Sequence, residues 1–354
     1  MDYNTMIRKK DKGLQAIISY KINGKWKQKS KQGFEDSRKG KSEAKTWIAE
    51  TVNSLKNEVK DKNDYIGITY KEFVSDYLDY KKSTISYNTY SFYKKSLEKF
   101  EMLNDIKITD ITPLHIRKAY EEVKKNSGVN STKQYYGRLK SLFECAKDDF
   151  DLIIKNPCKP IKDKKIRVEK YALTIKEQDE LIDNLRTYYN KYVYISSLIA
   201  LKCGLRHSEI LGLTWNDIDM INCELNVNKQ WKKIGDNKYG FGETKNKVHR
   251  KVPISRDVIK ELVRYKVDVP ISYDNRIIGT NSLSEQCRRS YRHFGFEISI
   301  HNLRHTYTTN LIANGIDFRT TAKLIGDNVE MVMKVYSHVN DDMMAKAKDI
   351  INTL

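Results

Sequence analysis

The stretch Cys203–Trp215, CGLRHSEILGLTW, decides the fold of the last part of the chain. It follows the longest apolar run, from Tyr192 to Cys203, which predicts an apolar helix. Gly204 stands where a helix C-cap needs a left-handed residue, and Arg206 follows it before a second short helix. Glu209, one helical turn on, can hold the guanidinium of Arg206. The stretch therefore predicts a charged side chain on a tight corner between two helices.

Three further stretches of this last part carry chemically active side chains: ETKNKVHRKVPI from Glu243, HNLRHTYTTNLIANG from His301 and IGDNVEMVMKVYSHV from Ile325. In the first, Lys245 lies at or near the tip of a predicted β-hairpin. In the second, three active side chains fall within five residues of a predicted helix; they are His301, Arg304 and His305. In the third, Tyr336 ends an apolar helical pattern. Taken alone, a solvated lysine and a buried tyrosine are the simpler interpretations.

Together these residues supply what an attack on a phosphodiester needs. Tyrosine is the nucleophile, and two arginines neutralise the non-bridging oxygens of the transition state. A lysine protonates the leaving 5′ oxygen, while a histidine bonds a phosphoryl oxygen or takes the tyrosine proton. His301 and His305 have the spacing of a helical metal pair, but the HExxH pattern needs a glutamate where Asn302 stands. A zinc hydrolase is therefore not favoured, and we expect no metal and no cofactor.

Composition favours nucleic acid as the partner. The chain has 354 residues, with 65 Lys and Arg against 46 Asp and Glu, a formal net charge of +19. Such a surplus attracts polyanions and releases their counterions. No apolar run reaches the roughly 18 to 20 residues of a membrane span, and the first residues carry no apolar signal region. Five scattered cysteines without CxxC spacing predict reduced thiols, and we expect a protein of the cytoplasm.

The pattern along the chain predicts a mainly α protein with small β-sheets. Residues 1–64 read as three short strands and a helix, with Asn23 and Gly24 as a hairpin turn. Basic and polar residues alternate here, which predicts a positive face opposite the helix. A solvated surface is the alternative to DNA contact. The lysines expected on DNA in this unit are Lys25, Lys27 and Lys29.

Residues 65–154 read as amphipathic helices, with a capping box at Thr69 and a helix start at Thr112. Their tyrosines have helical spacing, which is typical of core packing. Residues 155–170 read as a basic linker, whose phosphate-contacting lysines are expected to be Lys159, Lys162, Lys164 and Lys165. Residues 171–354 read as mostly helical, with a patch of strands from Cys223 to Ile254 and a tail helix at the end.

Four motifs now stand in order: GLRHSE, TKNKVHRKVP, HNLRHT and MKVYSHV. Their order and wording resemble the tyrosine recombinase family, the phage-integrase type of site-specific recombinase. The resemblance implies an α+β catalytic domain of that type for residues 171–354 and a helical, SAM-like core-binding domain for 65–154. It also implies an arm-type DNA-binding domain for 1–64, as in integrases of temperate phages and integrative conjugative elements.

The resemblance also implies roles for single residues. The implied catalytic residues are Arg206, Lys245, His301, Arg304 and Tyr336. The two arginines would clamp the scissile phosphate, the lysine would be the general acid and the tyrosine the nucleophile. Lys245 is favoured over Lys247 because Pro253 follows it by eight residues, as in the hairpin pattern of the family. Glu209 falls where the family has an acidic residue supporting the first arginine, and His305 is a further supporting residue.

Asp327 departs from the pattern of the family, which usually has His or Trp at this position as a phosphate donor. An ionised carboxylate cannot donate a hydrogen bond and would repel phosphate. We favour Asp327 as the N-cap of the nucleophile helix, paired with Glu330 and turned away from DNA. Two alternatives stay open: a protonated Asp327 that donates, or an impaired enzyme that mainly binds DNA.

We therefore expect a site-specific DNA recombinase that works through a 3′-phosphotyrosine and integrates or excises a mobile element. Its rivals are a type IB topoisomerase-like nicking and sealing enzyme and a catalytically silent DNA-binding regulator. The expected partners are double-stranded DNA with core-type and arm-type attachment sites, further protomers in a tetramer on DNA, and an excision or host bending factor. The protein would be a monomer when free, in a bacterial host cell. The tail, Asp341–Leu354, packs on its own core or docks on a neighbouring protomer.

Overall fold

The computed structural model describes residues 2–11, 13–22, 25–63, 65, 67–164, 166, 171–336 and 351; of residues 22, 25, 56–63, 335 and 336 it describes the backbone only. The chain forms two compact units, Met1–Ile166 and Arg167–Leu354. This division falls within the predicted basic linker, and the predicted boundaries after residues 64, 154 and 170 stay predictions. The turn at Asn23 and Gly24, Lys165 and almost all of the predicted tail helix lie outside the described residues. None of the helices described here is long and apolar enough to cross a membrane.

The first unit begins with the predicted three-stranded sheet and helix. The strands are antiparallel in the order β1-β2-β3, and the elements are β1 (Tyr3–Lys10), β2 (Gly13–Ile22), β3 (Lys25–Phe34) and α1 (Arg38–Asn63). Every second residue of β2 faces α1, where Ile18 and Tyr20 pack against Val52 and Leu55. The period of two in the strand and the helical stripe of α1 therefore meet in one small core.

The register of β3 corrects the prediction that its lysines line the open face of the sheet. Lys27 pairs with Tyr20 and Lys29 with Ile18, and directly paired residues project from the same face. These lysines therefore lie on the side of α1, at the edge strand β3, and both are exposed. The side chain of Lys25 lies outside the described residues.

The open face of the sheet carries more uncharged polar side chains than predicted. Its positive charge comes from Arg8 and Lys21, not from the lysines of β3. Arg8 donates from Nε to Gln15 Oε1 at 3.0 Å, and Gln15 Nε2 donates to Ser30 Oγ at 3.2 Å. This chain of hydrogen bonds crosses all three strands. Lys21 and Trp26 form a directly paired couple on the same face, and Trp26 is exposed. The face offers hydrogen-bonding groups in fixed positions as well as charge.

The rest of the first unit is a helical body with a tyrosine-rich core. Its helices are α2 (Tyr70–Lys82), α3 (Tyr87–Glu98) and α4 (Pro113–Asp148). The predicted capping box of Thr69 and Glu72 starts α2, and Thr112 with proline at the first helical position starts α4. Tyr70 and Tyr77 are fully buried with Phe73. The prediction that tyrosines at helical spacing belong to the core is confirmed for Tyr70 and Tyr77, but it is wrong for Tyr80, which is 48% exposed.

The predicted linker is fastened to α4 over its described part. The hydroxyl of Tyr120 and the ammonium of Lys124 both bind Asp163 Oδ2 at 2.9 Å, and Lys133 donates to the carbonyl of Asp163 at 2.6 Å. The Tyr136 hydroxyl donates to the carbonyl of Lys159 at 2.7 Å. On the side of the linker, these contacts use the carboxylate of Asp163 and two backbone carbonyls. The side chains of Lys159, Lys162 and Lys164 stay exposed.

The second unit surrounds one apolar helix, α6. Its helices are α5 (Ile175–Thr187), α6 (Lys191–Cys203), α7 (His207–Gly212), α8 (Arg256–Asp268), α9 (Leu283–His293), α10 (Ile300–Ala313), α11 (Phe318–Ile325) and α12 (Val329–Tyr336). Helix α6 is buried on all sides and packs against α5, α8, α9 and α10. A small cluster that includes Ile312, Ile325 and Val332 holds α11 and α12 on α10. The last described helix is thus anchored to the core of this unit.

The predicted patch of strands forms two small antiparallel sheets. The strands are β4 (Ile218–Asp219), β5 (Glu224–Val227), β6 (Gln230–Gly235), β7 (Lys238–Gly242) and β8 (Arg250–Pro253). One sheet has the order β4-β5-β8, and β6 and β7 form a separate hairpin. The predicted fold class, mainly α with small sheets, is therefore confirmed.

Helix α4 is interrupted at Gly128, which has φ 71° and ψ 162°. This region of backbone space is open essentially to glycine alone, so we expect Gly128→Ala to cost about 1 to 3 kcal/mol. Gly137→Ala in the same helix is the control, because an added Cβ meets nothing within 4 Å there. It should stabilise by about 0.5 to 1 kcal/mol, as alanine does in a helix interior. Urea unfolding followed by circular dichroism measures both, and equal effects would contradict the assignment.

Candidate active site

Arg206 lies on the predicted corner, as the N-cap of α7. Gly204 ends α6 in the left-handed conformation with φ 66°, and an added Cβ would meet the ring of Tyr307 at 2.2 Å. The backbone N–H of Arg206 donates to Glu209 Oε2 and its Nη1 donates to Glu209 Oε1, both at 2.9 Å. Glu209 therefore fixes both the corner and the guanidinium, as predicted from their spacing.

Glu209 is also held by a residue that the sequence analysis did not single out, Arg250. Arg250 Nη1 and Nη2 donate to the two carboxylate oxygens of Glu209 at 3.1 and 2.8 Å, and its Nε donates to the carbonyl of Leu324 at 2.7 Å. Both side chains are almost fully buried. Burial raises the pKa of the Glu209 carboxyl, but the hydrogen bond and charge of Arg250, followed by Arg206, shift it below its ordinary value. Glu209 is thus ionised at neutral pH.

Arg304 reaches the same place from the first turns of α10. Its Nη1 donates to the carbonyl of Gly204 at 2.6 Å and lies 3.9 Å from Glu209 Oε2. Only 5% of its side chain is exposed. Burial, followed by the charge of Arg206, lowers the pKa of the Arg304 guanidinium to about 10, so it carries its charge at neutral pH. The two predicted arginines are therefore brought together in a buried and strongly positive place.

Asp327 faces these arginines, so the favoured expectation that it caps the next helix and turns away is wrong. Its Oδ2 lies 3.0 Å from Arg206 Nη2 and 3.3 Å from Arg304 Nη2. The cap of α12 is instead Asn328, whose Oδ1 accepts from the backbone N–H of Glu330 at 2.9 Å. The attraction of the buried Arg304 and the partly buried Arg206 outweighs a cap that the neighbouring asparagine can provide equally well.

Lys245 does not lie at a hairpin tip. The tip of the β6–β7 hairpin is at Asp236 and Asn237, and Lys245 lies in an exposed turn between β7 and β8, which belong to different sheets. Its neighbour Asn246 donates to the carbonyl of Gly326 at 3.2 Å, and Arg206 Nη2 donates to the same oxygen at 2.8 Å. The turn is therefore tied to the segment that carries Asp327.

The two histidines lie on α10 with Arg304. His301 is exposed, one turn before Arg304, whereas His305 is buried with 4% exposure. Asn302 accepts from the N–H and hydroxyl of Ser299 in a capping box, which explains an amide at this position. Tyr336 is the last residue of α12. Its backbone is placed there, and its side chain lies outside the described residues.

Three protein-family models match parts of the chain. Residues 172–343 match the model of the phage integrase family, residues 6–55 that of an arm DNA-binding domain, and residues 69–123 that of the phage integrase N-terminal SAM-like domain.

Residues 172–343 form a phage integrase family domain. Among the relatives of this chain is a XerC-like tyrosine recombinase of Caldanaerobacter subterraneus subsp. tengcongensis, 26% identical over 89% of this chain and 90% of the relative. Its fold resembles that of the Tn1549 transposon integrase bound to circular intermediate DNA, with a TM-score of 0.65, 20% identity and coverage of 76% and 95% of the two chains. It also resembles the lambda integrase tetramer bound to a Holliday junction, with a TM-score of 0.61, 17% identity and coverage of 91% and 95%.

Arg250 offers a test of how this integrase site is held. We expect Arg250→Met to lower the free energy of unfolding by about 3 to 5 kcal/mol, because it removes one partner of a buried pair and leaves the Glu209 carboxylate undercompensated. The control is Lys251→Met at the next position. Lys251 pairs with Glu224 at 2.8 Å but is 63% exposed, so its loss should cost no more than about 1 kcal/mol. Calorimetry of the full chain compares the two, and similar effects would contradict the role given to Arg250.

Proposed function

We propose that this chain is a site-specific DNA recombinase that cuts and rejoins DNA strands through a 3′-phosphotyrosine, and that it integrates or excises a mobile element. The observation that carries the proposal is the pair of guanidiniums, one buried and one partly buried, that share one oxygen of an anion. Arg206 and Arg304 hold Asp327 Oδ2 at 3.0 and 3.3 Å. A site that holds one anionic oxygen between two arginines has the charge and geometry for a phosphodiester.

In the proposed reaction each side chain has one task. Arg206 and Arg304 bind the non-bridging oxygens of the scissile phosphate and stabilise the charge of the pentavalent transition state. The oxygen of Tyr336 attacks phosphorus, and the bond to the 5′ oxygen breaks as Lys245 donates a proton to it. His301 bonds a phosphoryl oxygen or takes the tyrosine proton. Attack of another 5′ hydroxyl on the phosphotyrosine reverses these steps and joins the new strand.

Glu209 and Arg250 are proposed to act through the arginine pair. Glu209 fixes Arg206 by two hydrogen bonds and is itself fixed by Arg250. Preorganised donors need no reorientation during the reaction, and losing one such donor costs about 10² to 10³ in rate in other enzymes. His305, which is buried on α10 next to Arg304, would act as a supporting residue of the site. In this proposal the positive charge and the proton both come from side chains, with no cofactor.

The proposed partners are double-stranded DNA and further copies of the chain. The first unit would bind arm-type sites with the open face of its sheet, and the exposed lysines Lys159, Lys162 and Lys164 would contact phosphates near the core site. Lambda integrase forms a tetramer on a Holliday junction, and we propose a tetramer on DNA and a monomer otherwise, with an excision or host bending factor. Work on host DNA would place the protein in the cytoplasm of a bacterial cell.

A second candidate is a catalytically weak or silent DNA-binding regulator. The position of Asp327 favours it, because an anion already occupies the arginine pair. A type IB topoisomerase-like enzyme would share the chemistry, but an N-terminal unit that matches an arm DNA-binding domain suits the pairing of two sites better. Formation of a covalent DNA adduct separates the enzyme from the regulator.

The test for a covalent protein–DNA adduct uses a nicked suicide duplex that carries the core attachment site of the mobile element. We expect the parent protein to form a covalent protein–DNA adduct that persists in EDTA, and Tyr336→Phe to form none, because phenylalanine has no nucleophilic oxygen. Tyr189→Phe is the matched control, since Tyr189 is 81% exposed in the same unit. Denaturing gels measure the adduct. An adduct with Tyr336→Phe, or none with the parent, would overturn the proposal.

The open face of the N-terminal sheet, which is proposed to bind arm-type sites, offers a second test with matched charge changes. We expect the double change Arg8→Gln and Lys21→Gln to weaken binding to arm-type duplexes about tenfold or more and to reduce their preference over unrelated DNA. The double change Lys27→Gln and Lys29→Gln, on the side of α1, should weaken all duplexes alike through the loss of charge. Fluorescence anisotropy at one fixed salt concentration compares them. Equal loss of sequence preference in both would contradict the assignment of faces.

A further inference from the structure

The carboxylate of Asp327 is built into the corner between α11 and α12. Gly326 ends α11 in the left-handed conformation, and a Cβ there would meet Arg250 Nη1 at 2.6 Å. The N–H of Asp327 donates to the carbonyl of Ala322 at 2.9 Å, and its Oδ1 accepts from the N–H of Asn328 at 3.2 Å. These contacts aim the remaining oxygen, Oδ2, at the two arginines. The position of the Asp327 carboxylate beside the arginines is therefore fixed by hydrogen bonds with the surrounding backbone.

The charges of the cluster explain why an anion is needed there. Three guanidiniums, those of Arg206, Arg250 and Arg304, share the carboxylate of Glu209. Both oxygens of Glu209 already accept from Arg206 and Arg250 at 2.8 to 3.1 Å, whereas Arg304 remains 3.9 Å away. A buried guanidinium without a close anion is costly. Asp327 supplies the second negative charge that Arg304 and Arg206 would otherwise lack.

The Asp327 carboxylate has space to move away from the arginines. Its side chain is 34% exposed, and it lines a groove of about 1100 Å³ between β8 and the corner of α11 and α12. A rotation of the Asp327 side chain would carry Oδ2 from the arginines into this groove. A phosphate that took its place would keep the number of negative charges on the arginines unchanged.

We propose that Asp327 is an internal competitor of the scissile phosphate. It occupies the arginine pair and must be displaced before the phosphate can bind. The inference rests on the proposed function for the identity of the displacing anion. Helix α12, which ends at Tyr336, begins only two residues after Asp327, so the competing carboxylate lies next to the start of the helix that carries the nucleophile. Like charges forced together cost several kcal/mol, so the competition must slow entry of the phosphate.

The first test needs no DNA and uses inorganic sulfate as the probe. The full chain is titrated with sulfate at constant ionic strength against chloride, and the thermal midpoint is followed. We expect Asp327→Asn, which keeps shape and loses charge, to bind sulfate at least about tenfold more tightly than the parent, which corresponds to 1.4 kcal/mol. Asp327→Glu should behave like the parent.

Glu330→Gln is the matched control, because it removes one exposed carboxylate three residues further along the chain. It should leave the response to sulfate unchanged. In Asp327→Asn combined with Arg206→Gln, the gain should disappear, since the sulfate would lose one of its two guanidiniums. Equal affinity for sulfate in Asp327→Asn and the parent, or an equal gain in Glu330→Gln, would overturn the proposal.

The second test measures adduct formation on the nicked suicide duplex at saturating DNA. We expect Asp327→Asn to form the phosphotyrosine adduct at least about tenfold faster than the parent and Glu330→Gln to match the parent. A slower Asp327→Asn with normal folding would mean that Asp327 supports the arginine pair, and the proposal would be wrong. A gain in sulfate binding without an adduct in any variant would support the competitor while refuting the recombinase function.

Discussion

The second unit depends on the buried carboxylate of Glu209. It accepts hydrogen bonds from Arg206 on α7 and from Arg250 on β8, and Arg304 on α10 approaches it within 3.9 Å. Three elements far apart in sequence therefore converge on one anion. Burial alone would favour the neutral acid, yet the pKa of Glu209 lies below its ordinary value because the positive charges around it outweigh desolvation. The fold and the charge of the site are consequences of the same interaction.

This interaction also decides where the last helices lie. Arg250 donates to the carbonyl of Leu324 and Arg206 to that of Gly326, so the arginines held by Glu209 bind the end of α11 through its backbone. The C-terminal carbonyls of a helix are orphan acceptors with partial negative charge, and arginine is a favourable partner for them. Helix α12 starts directly after this point. The position of the helix that ends at Tyr336 is thus set through the arginine cluster.

Local patterns predicted much of this site. Arg206 with Glu209, and the helix that carries Arg304, follow from cap signals and helical spacing. Arg250 was missed because its role needs a partner 41 residues away. The sequence does carry a signal for Arg250. It lies two residues before Val252, on the same inward side of a strand, where only a buried anion could balance its charge. The lysines of β3 were assigned to the wrong face because alternation tells which residues share a face, not which face α1 covers. Asp327 and Asn328 both suit a helix cap, and only the tertiary charge of the arginines distinguishes them.

A preorganised anion site is electrostatically unfavourable before its substrate binds. Two guanidiniums held close together repel each other, and the lowered pKa of Arg304, caused by burial and then by Arg206, reflects that cost. Only 5% of the Arg304 side chain is exposed, so water cannot screen its positive charge. An internal carboxylate can, and it does so most effectively where it matches the position of the substrate oxygen. The feature that stabilises the free protein is then the one that competes with DNA, because both requirements are met by a single negative oxygen between the same two arginines.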